Sequence, residues 1–242
     1  MLTFDYRGFG RSTGTPSEEG ILLDANAVIE WALEVAGIPP NRILVFAQSM
    51  GTAVSVGISN YFALKSPPVV FAGTVLVAPF IDAATLASSY RLAGTIPLLS
   101  PVARFPLAFT YLQRLTRDKW STKDRIAQYI RSNEANGEKY LMILIHAEDD
   151  YDIPWTHTTT LFWHAVNATM PVGLTYDELE VKKNESKKDL GAAGSVMEWH
   201  TQYGTIREEI LKTGLHDAIM GNPVITMAVM RIFQALDPLF TC

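Results

Sequence analysis

Residues 42–57, RILVFAQSMGTAVSVG, constrain this chain more than any other stretch. The apolar run Ile43 to Phe46 suits a buried parallel strand, and it leads straight into Ala47-Gln48-Ser49-Met50-Gly51 and then a run of small residues with helical character. Ser49 therefore stands where a strand turns sharply into a helix, the geometry of a nucleophile elbow. Small residues two positions either side of the serine are a steric demand, because the turn strains the backbone and larger flanks would collide. Ala47 meets that demand where glycine is usual. The turn also aims the Met50 N–H at the place where an acyl oxyanion would form, and a helix start favours negative charge there. A serine at a buried strand end with no chemistry fits the same five residues, so the rest of the chain has to decide.

At 242 residues, 48% of them hydrophobic, the chain can bury the core of a single domain. A net charge of -5 without a dense basic block argues against nucleic acid as a partner. Lys182, Lys183, Lys187 and Lys188 alternate with Glu180, Glu185 and Asp189 and read as a solvated loop. The sole cysteine, Cys242, is the last residue, so it makes no internal disulfide and no prenylation signal follows it. No signal peptide is read at Met1, which opens in strand-like sequence. The apolar stretch from Leu92 to Leu112 is interrupted by Pro97, Pro101, Arg104 and Pro106, which argues against a membrane span.

Taken in order, Met1 to Asp5 reads as the tail of a strand, and Tyr6-Arg7-Gly8-Phe9-Gly10-Arg11-Ser12 as a tight structural loop tied down by its arginine and serine. Pro16 to Glu19 start a helix whose stripe is Ile21, Leu22, Ala25, Val28, Ile29, Ala32 and Leu33. Phe71 to Val77 is a second buried strand. From about 81 to 129, apolar residues crowd around prolines (Leu98, Leu99, Val102, Phe105, Leu107, Phe109, Tyr111, Leu112, Trp120), which suits an inserted helical lid over an apolar substrate or, equally, a buried helix pair. Tyr140 to Ile145 is a third buried strand, and Trp155 to Ala168 resembles a surface helix. Residues 167–194 read as a flexible insertion, and Ile206 to Leu211 as a last, half-exposed strand before a closing helix over Pro223 to Leu236.

The chemistry assembles from strand ends. Ser49, then Glu148-Asp149-Asp150-Tyr151-Asp152, then His216 each follow a strand, at the rim where open parallel sheets place ligands. Nucleophile, acid and histidine in that order, on alternating strands and helices, are expected of an α/β-hydrolase fold. Ser49 would attack a carbonyl, His216 would shuttle the proton, and Asp150 would orient the imidazole, with Asp149 and Asp152 as competing acids. His146 reads as a hydrogen-bonded packing residue, and His157, His164 and His200 as surface histidines. No histidine pair has metal-ligand spacing and no phosphate loop appears, so neither a metal nor another cofactor is expected.

DYRGFGRS, AQSMG, VAPF, HAEDD-x-x-IP and GLHD together resemble the lysophosphatidylserine and monoacylglycerol lipase branch of the α/β-hydrolase domain proteins, the branch of protein 12 in that numbered series and its fungal relatives. The resemblance covers most of the chain outside 167–194. It implies Ser49 as nucleophile, His216 as base and, four residues after His146 and ahead of x-x-Ile-Pro, Asp150 as acid. A long-chain acyl lipid or small ester is the implied substrate, with peripheral membrane contact through the lid and association with the endoplasmic reticulum membrane. The branch carries a membrane anchor, three strands and a His-Gly loop donating a second oxyanion N–H ahead of DYRGFG, and this chain is expected to lack them. That would leave the Ile43 to Phe46 strand with an open edge. Losing one oxyanion donor typically costs about a hundredfold to a thousandfold. A non-catalytic binding module of the same fold is the alternative, as is a serine peptidase or thioesterase, because a triad does not choose its leaving group.

Overall fold

The computed structural model describes residues 1–89, 91–92, 96–97, 105, 114 and 116–237. The first helix, α1 (Glu18–Glu30), begins where Ser17 caps it by accepting the Gly20 N–H at 3.2 Å, and it continues as a wider π turn over Trp31–Val35. The elbow stretch then forms β1 (Leu44–Gln48) and α2 (Met50–Ala63), followed by β2 (Gly73–Val77), which is buried along its whole length. After α3 (Ala83–Ser89) a small hairpin pairs β3 (Arg91–Leu92) with β4 (Ile96–Pro97). Helix α4 (Thr122–Asn136) stops at Gly137, whose φ of 70° is the left-handed conformation that glycine adopts without strain. It leads into β5 (Tyr140–Ala147) and α5 (Thr156–Ala168). Then come α6 (Tyr176–Ser186), β6 (Lys188–Asp189), β7 (Ser195–His200), β8 (Gly204–Leu211) and α7 (Pro223–Leu236), the last capped by Asn222.

One six-stranded sheet organises these elements in the order β1-β2-β5-β8-β7-β6. The four strands β1, β2, β5 and β8 are parallel, and β7 and β6 add antiparallel on one side. Gln48 aligns with Val77, Val77 with Ile145, and Ala147 with Leu211, so the carboxyl ends of the parallel strands finish at one rim. Backbone bonds carry this alignment past the strands: Ser49 N–H donates to Val77 O at 2.9 Å and Glu148 N–H to Leu211 O at 2.8 Å. Alternation splits the core across the sheet. Leu76, Met142, Leu144 and Ile206 pack beneath α4 and α5, whereas Val75, Val77, Ile143 and Ile145 pack against Ile225, Ala228 and Ile232 of α7.

Several expectations change. Met1 to Asp5 makes no strand ladder among the described residues. Its polar groups serve the following loop instead: Asp5 Oδ2 accepts the Arg11 N–H at 3.0 Å and Asp5 O accepts the Ser12 hydroxyl at 2.9 Å. Among the described residues β1 pairs on one side only, with β2. The surface helix becomes α5, with Leu161, Phe162, Ala165 and Val166 completely buried under α4 and the sheet. Residues 167–194 are not a loop. Thr175 and Glu178 form a reciprocal capping box that starts α6, and Lys182 lies over the Trp199 ring at 5.0 Å, so Lys182 and Lys183 belong to a helix, which Lys187 ends and from which Lys188 passes into β6. Strand β7 was missed, and β8, read as half-exposed, is shielded by it. Part of the expected lid (90, 93–95, 98–104, 106–113 and 115) lies outside the described residues, and its last residues, from Thr122, open α4. Among the described residues no helix is long and apolar enough to cross a membrane.

Candidate active site

Ser49 sits between β1 and α2 at φ 53°, ψ -125°, a left-handed conformation that a serine adopts only when the surrounding turn enforces it. The flanks of the turn are close together: a Cβ built at Gly51 would be in van der Waals contact with Ala47 Cβ, at 3.4 Å.

His216 arrives from the loop beyond β8. Its Nε2 lies 3.0 Å from Ser49 Oγ and its Nδ1 lies 2.7 Å from Asp150 Oδ2. A carboxylate only accepts, so Nδ1 carries the proton and Nε2 is left to accept from the serine hydroxyl. Asp150, 6% exposed, also accepts from the backbone N–H groups of Asp152 at 3.0 Å and Ile153 at 2.9 Å through Oδ1, and from His146 Nε2 at 3.1 Å through Oδ2. Burial pushes the Asp150 carboxyl up, but the hydrogen bonds from His146, His216 and the Ile153 N–H outweigh it and hold the group well below the usual carboxylate range. The bond to Asp150 raises His216, against the pull of burial, and Asp152 and Asp217 raise it further.

Of the three candidate acids, Asp150 alone bonds the imidazole. Asp149 accepts the N–H groups of Gly214 and Leu215. The side chain of Asp152 is near enough that one donor atom each from Asp150, Asp152 and His216 lie within 4.8 Å of one another. Two of those three groups already bond each other, which gives the cluster a role that needs no metal.

His146 is fully buried: Nε2 faces the oxygens of Asp150 and Ile153, and Nδ1 meets the Thr158 hydroxyl at 2.6 Å. His164 and His200 are exposed. His157 is a correction. It is 3% exposed, accepting the Ile81 N–H at 3.2 Å through Nδ1 and meeting Ser89 Oγ at 2.8 Å through Nε2, and so ties α5 to α3. Of the loop residues expected to be structural, Arg7 grips Asp24 of α1 at 2.7 Å. Gln48, passed over in the sequence, donates through Nε2 to His216 O at 2.6 Å. Its only signal there was adjacency to the serine.

Residues 1–140 match the profile of the family described as serine aminopeptidase, S33. The chain is 33% identical over 172 residues to Protein ABHD12B of Homo sapiens, spanning 69% of this chain and 42% of that protein. It is 26% identical over 159 residues to the lysophosphatidylserine lipase ABHD12 of Danio rerio, spanning 64% of this chain and 36% of that protein. The chain thus spans less than half the length of either relative. Among solved structures it resembles the Pyrococcus furiosus esterase PF2001, with a TM-score of 0.54 at 14% identity over 96% of this chain and 68% of that one. An alpha-beta hydrolase from Vibrio vulnificus gives 0.53 at 15% identity over 93% and 61%. At those identities the likeness is one of fold.

Proposed function

The chain belongs to the α/β-hydrolase superfamily, in the family described as serine aminopeptidase, S33, and from that premise we propose that it is a serine hydrolase cleaving carboxylic esters of long-chain acyl lipids, lysophospholipids or monoacylglycerols. The observation that carries the reading is the unbroken relay from Ser49 Oγ through His216 to Asp150, at 3.0 and 2.7 Å. Ser49 Oγ attacks the ester carbonyl as His216 Nε2 takes its proton, and Asp150 balances the imidazolium that forms. The developing oxyanion takes the Met50 N–H at the start of α2. Collapse expels the alcohol, which receives the proton from His216. Water, activated by the same imidazole, then releases the acid and regenerates Ser49.

Two features favour an apolar acyl chain. Met50 and Leu215, the sequence neighbours of the serine and the histidine, are 36% and 47% exposed, giving the reacting atoms an apolar border. A similar protein of Danio rerio is a lysophosphatidylserine lipase. The test is hydrolysis of monoacylglycerol, lysophosphatidylserine and a short p-nitrophenyl ester by the chain and by Ser49→Ala. The expected result is turnover that favours the long-chain esters and falls at least a thousandfold in the variant. Cleavage of aminoacyl amides in preference to esters would replace the lipase reading with a peptidase. Equal rates for both proteins would leave only a binding module.

A further inference from the structure

We infer that Gln48 and Asp149 are positioning residues, which clamp the loop carrying His216 from two strand ends so that its imidazole spans Ser49 and Asp150. This rests on the catalytic reading of those three residues.

The histidine's loop closes a turn of its own beyond the imidazole, with Leu215 O accepting the Ala218 and Ile219 N–H groups, but its Gly214 and Leu215 N–H groups and the His216 carbonyl are bonded from outside it. It leaves β8 at Leu211 and runs over the rim, and Lys212, Thr213 and Leu215 are exposed. Leu215 has a φ of 32°, a conformation that a leucine does not keep without outside contacts. Asp149 supplies two of them: its Oδ1 accepts the Gly214 N–H at 2.7 Å and the Leu215 N–H at 3.0 Å. Gln48 supplies the third, from the opposite side, donating Nε2–H to the His216 carbonyl at 2.6 Å. A carbonyl only accepts, so the amide nitrogen must be the end that faces it. The loop is also pressed onto the end of β5, since a Cβ built at Gly214 would lie 3.0 Å from Ala147 Cβ.

The placement has a logic. Gln48 immediately precedes the nucleophile and Asp149 immediately precedes the acid, so each is anchored by the strand end that fixes one partner of the imidazole. Any drift of the loop relative to Ser49 or Asp150 must stretch one of these bonds. Proton relay tolerates little such drift, because a displacement of about 1 Å can cost on the order of a hundredfold in rate.

The experiment compares the wild-type chain with Gln48→Met, which keeps the side chain's length without the donor, Asp149→Ala, which removes the acceptor, and Asp149→Asn, which keeps an acceptor oxygen and loses the charge. His216 is titrated by NMR of the labelled imidazole, and ester turnover is measured in parallel. Gln48→Met and Asp149→Ala are expected to move the His216 titration down toward that of an ordinary histidine, as its bond to Asp150 loosens, while Asp150, Asp152 and Asp217 stay in place. Their kcat should fall roughly tenfold to a hundredfold with KM unchanged. Asp149→Asn should restore both readouts. Wild-type titration and wild-type kcat in both Gln48→Met and Asp149→Ala would overturn the clamp, and so would an Asp149→Asn that behaves as Asp149→Ala does. If one substitution prevents folding, the other tests the same loop from a different strand. Failure of the catalytic reading shows separately, as equal turnover by wild type and Ser49→Ala, and the titration still reports on the clamp.

Discussion

Replacing Glu208 by glutamine should stabilise this protein, but only at neutral and alkaline pH. Glu208 lies on β8 opposite Leu144 of β5 and Met197 of β7, and both neighbours point into the core beneath α4 and α5. It is 1% exposed. Burial pushes the carboxyl from 4.5 up to about 7, with the Thr159 hydroxyl, Lys187 and Lys183 pulling the other way. Between those values the folded chain holds a proton that the unfolded chain has released, so stability falls as pH rises through the window and stays low above it. A rise of about 2.5 pH units at about 1.36 kcal/mol each amounts to about 3 kcal/mol. Glutamine cannot ionise and escapes the loss. For a chain of this size about 3 kcal/mol corresponds to roughly 6–12 °C in Tm. Thermal unfolding followed by circular dichroism, for wild type and Glu208→Gln at pH 5 and pH 8, measures it directly. The variant should melt well above wild type at pH 8 and close to it at pH 5. Identical melting at pH 8, or the same gap at both values, would show that Glu208 is not a buried, proton-holding group.

The rate should have its own pH dependence. His216 must be neutral to take the serine proton and its bond to Asp150 raises it, so kcat/KM should fall as pH drops through a value above 6.5, and Asp150→Asn should move that limb to lower pH. The linked stability has the opposite sense: the protonated His216–Asp150 pair favours the fold below 6.5, and this is lost as pH rises through the raised value. His157 differs again, because burial, reinforced by the neighbouring His146, depresses it to about 4. The contribution of His157 to stability should therefore fall by about 3 kcal/mol as pH drops from 6.5 to about 4, opposing the gain from Glu208 over much of the same range. His157→Phe should abolish that dependence in denaturant titrations, while leaving the Ile81 N–H unpaired at a cost of about 1–3 kcal/mol near pH 7.

What could be read from the sequence was what short-range patterns encode. Unbroken apolar runs marked β1, β2 and β5, because parallel strands covered on both faces carry no polar alternation. The Ser17 cap and the apolar stripe of α1 were equally plain. Helix α5 was misjudged because its buried face includes His157 and Thr158, polar groups whose partners lie on other elements. Helix α6 carries almost no amphipathic signal, so 167–194 reads as a flexible insertion, and the Thr175–Glu178 capping box that starts the helix goes unrecognised there. Strand β7, SVMEWH, lies next to the sheet's outermost strand, and its alternation was too short to stand out. The contacts of Gln48 and Asp149 reach 168 and 65 residues along the chain, to a loop whose path no local pattern specifies. Part of the stretch expected as a lid falls outside the described residues.

The central claim is that the Ser49 hydroxyl is activated by His216, and covalent labelling with a fluorophosphonate reads that activation without assuming any substrate. Peptide mass spectrometry of the labelled chain should find the phosphonate on Ser49, with the rate of labelling reduced on the order of a thousandfold or more in His216→Ala. Label on another residue, or Ser49 labelled equally fast without His216, would contradict the account.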